Sequence, residues 1–308
     1  MAALEVGNTM QNQPGSGEQG ISKELSLGEV ISKTFEVYRQ DFTKYFILFA
    51  VVEVIIGVAT AVARQVITIP TLPINPTSGQ VAHWLPGFIG AIILLVGSIL
   101  ILTVVFFPIA QGSSIKLASE RIEKGQADLG ESIKFAASRL IQIWALSIVV
   151  GIIVVLGLIA LIIPGIILTI MFSLSFPVLI IENKGVFSSM GRSRELVGHR
   201  WLKTFGTFLV FGIIIGIAAA IVSAISGPFG IASPIVSGIL SAFYQPLIPI
   251  LLGVYYYSNV ARINPPQASQ SFIVPAPVAQ AGMKFCPSCG TQLSATSMFC
   301  PKCGAKQP

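Results

Sequence analysis

Residues 144–181 read WALSIVVGIIVVLGLIALIIPGIILTIMFSLSFPVLII, 38 residues without a charged side chain. A helix rises ~1.5 Å per residue, so ~20 apolar residues cross the ~30 Å hydrocarbon layer of a membrane. The stretch is too long for one crossing, and Pro164-Gly165, a pair that breaks helices, lies near its middle. It therefore predicts two membrane-spanning helices joined by a very tight turn at Pro164-Gly165.

The rest of the chain has the same apolar character. Of its 308 residues 53% are hydrophobic and 10% charged, whereas soluble domains are roughly 25% charged. Four further apolar runs approach or exceed the length of a span, at 45–63, 88–110, 205–225 and 235–257. We therefore expect an all-α membrane protein with about six transmembrane helices, the membrane domain occupying residues 23–261.

The basic residues predict the orientation in the membrane. All lysines and arginines except Arg64 fall before the first predicted span, after the last, or in the loops that share their side of the membrane. Positively charged loops stay in the cytosol. We therefore expect a multi-pass protein of the cell membrane with both termini cytosolic. Residues 1–22 lack the basic start and apolar stretch of a secretory signal and are expected to be a disordered leader.

A short pattern recurs before alternate spans. Ser26 and Glu29 form an S-x-x-E capping box that opens an amphipathic segment. Residues 128–139 repeat the cap and the Leu-Gly-Glu sequence, and 186–201 are a weaker third copy. This predicts three helix-hairpin units, each made of an interfacial amphipathic helix, a span and a proline-containing span. The first amphipathic helix is expected to lie in the membrane surface, the alternative being a helix packed on the cytosolic loops.

Four segments carry a resemblance to a known family: LGEVISKTFEVYRQDF at 27–42, IIPGIIL at 162–168, SFPVLIIENKGV from Ser175 and RSRELVGHRW from Arg192. The region 27–257 resembles the six-helix membrane domain attached to some glycerophosphodiester phosphodiesterases and found alone in many prokaryotic membrane proteins. The resemblance implies the membrane fold and no chemistry of its own. The phosphodiesterase itself is a separate barrel of ~250 residues, for which this chain has no room.

The tail contains all four cysteines, in KFCPSCGTQLSATSMFCPKCG at 284–304. Cysteine pairs two residues apart can bind zinc from one tight turn, and two such pairs complete a tetrahedral site. A cytosolic tail is reducing, which argues against disulfides. We therefore predict one structural Zn²⁺ in a zinc ribbon at 283–306, similar to ribbons common in archaeal proteins, after a flexible linker at 262–282. The ligands are Cys286, Cys289, Cys300 and Cys303.

The sequence does not decide what the ribbon binds. A cytosolic protein is the favoured partner, and an end cap without a specific partner is the alternative. Nucleic acid is disfavoured, because Lys284, Lys302 and Lys306 are few cations for a phosphate-binding surface.

Two groups of polar residues are candidate sites in the membrane domain. Glu53 is an acid inside a span, where a carboxyl group is costly and a functional candidate, and Gln245 could share a cavity with it. The alternative is a hydrogen-bonded structural pair. A second set is basic, close to Trp201, and expected to contact anionic lipid head groups. It comprises Arg192, Arg194, Arg200 and Lys203.

The motifs indicate no enzyme. The sequence contains no Ser/His/Asp set, no H-E-x-x-H and no phosphate-binding loop. The favoured interpretation is a membrane scaffold or organising factor whose zinc ribbon engages a partner. The alternative is a transporter or channel-like protein that uses Glu53 and the proline-kinked spans.

Overall fold

A computed structural model describes residues 20–72, 74–198, 200–264, 283–294 and 296–306. The chain divides into two compact units, Met1–Pro265 and Pro266–Pro308. The expected leader at 1–22 and linker at 262–282 lie almost entirely outside the described residues and stay predictions.

The first unit is helical throughout its described part. Its helices are joined by connections of five residues or fewer, except for the longer one at 67–77 that precedes α3. The helices are α1 (Leu27–Gln40), α2 (Phe42–Val66), α3 (Ser78–Lys124), α4 (Leu129–Ser138), α5 (Leu140–Ala160), α6 (Ile162–Met171), α7 (Ser175–Ile181), α8 (Val186–Val197), α9 (Trp201–Ser226), a 3₁₀ helix (Gly227–Ala232), α10 (Ser233–Ser241) and α11 (Leu247–Ile263).

Within the described residues, five helical segments are long and apolar enough to cross a membrane, which identifies an apolar, membrane-type helical protein. They are Phe42–Val66, Ser78–Lys124, Leu140–Ala160, Ile162–Ile181 and Trp201–Ser241. The predicted span at 235–257 is not one helix, because the turn at 242–246 divides it between α10 and α11. The count of six is therefore not confirmed.

The segment Trp201–Ser241 contains a sharp break. Gly230 has φ 54° and ψ −117°, outside the helical region, and α10 packs on both α9 and α2. The contact with α2 is backbone to backbone. A Cβ atom at Gly57 would lie 2.8 Å from Pro234 O, and one at Gly238 would lie 3.0 Å from Glu53 O. Glycine at these two positions lets α2 and α10 touch.

The break in 144–181 lies at Leu161, which is extended (φ −163°, ψ 144°), and not at Pro164-Gly165 as predicted. Pro164 falls in the first turn of α6, where a missing N–H removes no intrahelical hydrogen bond. Gly165 has a packing role instead. A Cβ atom there would lie 2.7 Å from Leu158 N, so only glycine lets α5 and α6 approach this closely.

Exposure changes along α3. On α3, Ile93 is 64% exposed, whereas Leu117 is completely buried. The change comes at about Pro108, beyond which α3 packs on α7 and α11. Both of those helices are also largely buried. The apolar side chains of α7 and α11 thus face mainly protein, whereas those of the first half of α3 are exposed as in a lipid-facing helix.

The amphipathic helices pack on these buried segments. The capping box of α1 is confirmed: Ser26 Oγ accepts from Glu29 N, and Ser26 N donates to Glu29 Oε2 over 2.7 Å. Val30 and Val37 are buried, and α1 packs mainly on α11. In the same way α4 packs on α3 and α8 on α7. The apolar face of α1 therefore contacts protein, the arrangement considered above as the alternative to the membrane surface.

The second unit contains the only strands among the described residues. β1 (Met283–Phe285) pairs antiparallel with β2 (Gln292–Ser294), and Phe299 forms an isolated bridge with Lys306. Its buried side chains are Cys286, Leu293 and Cys300. So small an apolar core leaves the cysteine cluster at the centre of the fold.

Candidate metal centre and polar sites

The two Cys-Pro-x-Cys-Gly segments adopt the same turn. Gly290 N donates to Cys286 O over 2.8 Å, and Gly304 N donates to Cys300 O over 2.9 Å. Both glycines have a positive φ, 71° and 73°, which other residues adopt with strain. Each turn therefore depends on its glycine, and each directs two thiol groups toward the same point.

The four cysteine sulfurs form one cluster. Cys286 Sγ lies 3.6 Å from Cys303 Sγ, Cys289 Sγ lies 3.6 Å from Cys300 Sγ, and all four lie within 4.8 Å of one another. Tetrahedral zinc with Zn–S bonds of ~2.3 Å places its sulfurs ~3.8 Å apart. The predicted ligands thus fit one structural Zn²⁺.

The chemistry of this centre follows from its ligand set. Four thiolates fill the tetrahedral coordination of zinc and leave no position for water or substrate. Cys286 and Cys300 are buried in the ribbon, while Cys289 and Cys303 lie at its surface. A bound metal would therefore join the two turns and stabilise the fold.

Glu53 and Gln245 meet although 192 residues separate them in the sequence. Gln245 Nε2 lies 2.6 Å from Glu53 Oε1, within the part of α2 that packs on α10. Gln245 belongs to the turn between α10 and α11, and its Oε1 is buried without a hydrogen-bond partner among the described residues. The pair thus combines an acid within a helix of spanning length and an amide oxygen that can accept one more donor or a cation.

Arg192 lies in an ion-pair cluster within the protein. Its Nε is 3.2 Å from Glu182 Oε1 and its Nη1 is 3.0 Å from Glu195 Oε2. Burial alone would raise the pKa of Glu182, but hydrogen bonds from Lys184, Tyr256 and Arg192 outweigh it and hold that pKa below its ordinary value. The predicted role of Arg192 with lipid thus competes with two carboxylates.

Arg200 and Lys203 share one acid, Glu24. Lys203 Nζ lies 2.5 Å from Glu24 Oε1 and Arg200 Nη2 lies 3.3 Å from Glu24 Oε2. Burial would raise the pKa of Glu24, and the two cations lower it overall. Arg194 differs, because it is exposed and its guanidinium has no ion-pair or hydrogen-bond partner among the described residues.

Asp41 forms the most buried ion pair in the part of the chain that the structure describes, and the sequence did not indicate it. Its carboxylate, 2% exposed, lies 2.5 and 2.7 Å from Nε and Nη2 of Arg121 and 2.8 Å from Lys44 Nζ. Burial would raise the pKa of Asp41, but these hydrogen bonds outweigh it and the pKa lies below its ordinary value. The cluster connects the α1–α2 junction to α3. Arg121 is 80 residues away, so no local pattern reveals the pair.

Comparison with known proteins identifies the tail alone. Residues 285–307 match the zinc-ribbon domain family. No curated protein and no solved structure matches the chain. The resemblance of 27–257 to the phosphodiesterase-associated membrane domain thus receives no support from these comparisons.

Proposed function

We propose that this protein is a scaffold of the cell membrane whose zinc ribbon binds a cytosolic protein. One observation carries the proposal: a closed four-thiolate metal site forms a separate unit of a chain whose other unit is apolar and helical. A saturated zinc site has no catalytic position, and small zinc domains serve instead to present a folded surface. On this proposal the membrane unit holds that surface at the bilayer.

The proposed membrane unit is a ring of three repeated units with six spans and both termini in the cytosol. Its packing supports this, because each amphipathic helix packs on the second hairpin helix of another unit: α4 on α3, α8 on α7, and α1 on α11. The last contact closes the ring. Here the sixth span is the predicted segment 235–257, which begins in α10 after the break at Gly230, continues through the turn at 242–246 and ends in α11.

Hydrogen bonds at three interruptions of the helical hydrogen bonding, near Pro108, Met171 and Phe243, support the same repeat. Pro108 cannot donate to Val104 O, which instead accepts from Trp144 Nε1 over 2.7 Å. Equivalent hydrogen bonds form at the other two interruptions. In each of the three cases the donor residue belongs to the next repeated unit around the ring. The other two hydrogen bonds join Ser193 Oγ to Met171 O over 2.8 Å and Tyr38 OH to Phe243 O over 2.7 Å.

An affinity experiment tests the scaffold. Three tagged full-length chains are isolated from membranes and compared. They are the wild type, the double variant Cys286→Ser/Cys289→Ser, and Ser288→Ala, which is the control in the same turn. We expect a co-purifying cytosolic protein with the wild type and the control but not with the double variant. A nuclease treatment distinguishes a nucleic acid partner. Equal recovery with all three chains contradicts the proposal that the folded ribbon binds the partner.

A second candidate function, ion or proton transport, is favoured by the contact between Glu53 and Gln245. The Oε1 atom of Gln245, buried and unpartnered within the described ranges, and the Glu53 carboxylate together suit a proton or a small cation. The test is flux in reconstituted vesicles with Glu53→Gln, and Glu36→Gln, an exposed acid of α1, is the control. Transport predicts flux that is lost only with Glu53→Gln, whereas the scaffold predicts no flux with any chain.

A further inference from the structure

An apolar groove of about 620 Å³ lies between α6, α8 and α9. Its lining includes Ile167 and Met171 of α6, Val197 of α8 and Trp201, which is 46% exposed and begins α9. Arg194 lines the same groove. An arginine beside apolar side chains and an interfacial tryptophan matches an amphiphile with a phosphate and a hydrocarbon chain.

The ion pairs around the groove single out Arg194. Of the four basic residues predicted to contact lipid, Arg192, Arg200 and Lys203 pair with carboxylates within the protein. Arg194 has no such partner among the described residues. The groove contains one acid, Glu195, whose carboxylate lies 3.0 Å from Arg192 Nη1. Glu195 and Glu182 together are balanced by Arg192 and by Lys184, whose Nζ lies 2.5 Å from Glu182 Oε2. The charge presented to a ligand is therefore positive.

We propose that this groove binds one anionic phospholipid of the cytosolic leaflet. The Arg194 guanidinium donates to the lipid phosphate, and the apolar wall formed by Met171 and Trp201 holds the start of an acyl chain. Guanidinium is suited to phosphate because its N–H groups match two phosphate oxygens. The inference rests on the proposed membrane location and deepens it by naming a ligand class and its contacts.

The expected preference is modest, because one cation near a charged membrane surface favours an anionic over a zwitterionic lipid by about fivefold. Trp201 lies in the groove and can report on the occupant through its fluorescence. The background Trp84→Phe/Trp144→Phe leaves Trp201 as the reporter, since the chain has three tryptophans. Full-length protein is reconstituted with brominated phosphatidylglycerol or brominated phosphatidylcholine, each of which quenches tryptophan on contact.

We expect brominated phosphatidylglycerol to quench Trp201 at about one fifth of the concentration that brominated phosphatidylcholine requires. Arg194→Gln should bring the two lipids to parity. Arg39→Gln, which removes the same charge from an exposed position on α1, should keep the preference. The proposal is overturned if the two lipids quench Trp201 equally in the unaltered groove. It is also overturned if Arg194→Gln and Arg39→Gln reduce the preference for phosphatidylglycerol equally.

The outcomes separate this groove from the proposed function. Equal quenching by both lipids leaves the membrane location standing and removes the anionic site, whereas no quenching by either lipid contradicts the membrane location itself. Because Trp144 donates a hydrogen bond to Val104 O, the background could fail to fold. Native mass spectrometry of otherwise unaltered chains then decides: one retained phosphatidylglycerol fewer with Arg194→Gln supports the groove, and an unchanged number refutes it.

Discussion

Cys289→Ser tests how far the ribbon depends on its metal. Leu293 is the one buried apolar side chain in the described part of the ribbon besides the cysteines and contributes about 2 kcal/mol. Binding of zinc by small structural sites contributes about 10–16 kcal/mol. The two β-strands, of three residues each, add little by themselves. The metal therefore supplies most of the folding free energy, and a chain without one thiolate should have an unfolded tail.

Zinc content and tryptic cleavage after Lys302, which lies within the second turn, measure this effect. Wild-type full-length protein should hold one zinc per chain and resist cleavage. A loss of only ~3 kcal/mol raises the open fraction about 100-fold, and cleavage should accelerate at least as much. Ser288→Ala should behave as wild type. Retention of one zinc by Cys289→Ser, or continued resistance after chelation, would refute the reasoning.

Three further results are expected for the membrane unit. Asp41→Asn removes the carboxylate that pairs with Arg121 and should lower the free energy of unfolding by about 3 kcal/mol. Because the pKa of Asp41 is lowered in the fold, its contribution is present at neutral pH and lost on acidification through that pKa, so thermal melts of wild type and variant should converge in acid; parallel curves contradict this. Gly165→Leu should lower the melting temperature, because a Cβ atom there would clash with Leu158, and Gly151→Leu should not, because a Cβ atom there would meet no atom within 4 Å; equal melts contradict the close contact. Tags after residues 125 and 185 should both be reached only from the cytosol, and labelling from opposite sides refutes the topology.

Local sequence patterns predicted the features that local chemistry decides. The four cysteines and their spacing specify the zinc ligands, because each turn is complete within five residues. The capping box was likewise predicted from the sequence, because Ser26 and Glu29 lie only three residues apart. The tight turn was placed three residues too late, since proline interrupts a helix only beyond its first turn and Pro164 lies inside that turn.

Features that depend on what surrounds a helix could not be predicted. Residues 247–257 are as apolar as a span, yet α11 is buried mainly by protein, and hydrophobicity alone does not distinguish protein from lipid. Asp41 and Arg121 come together through packing across 80 residues. Glu53 and Gln245 are polar residues in apolar surroundings, which suggests a contact, but only the packing of α2 against α10 brings them together.

The closing contact between α1 and α11 has a consequence for how the chain is connected. Leu25 N donates to Ser258 Oγ over 2.9 Å, so the first and last described segments of the membrane unit are neighbours. Proteins whose ends meet tolerate circular permutation. Joining those ends through a short linker and opening the backbone near Gly125, which ends α3 with a positive φ, should preserve every helix contact. Once the ends of the membrane unit are joined in this way, the chain can begin at a different residue and keep the same fold.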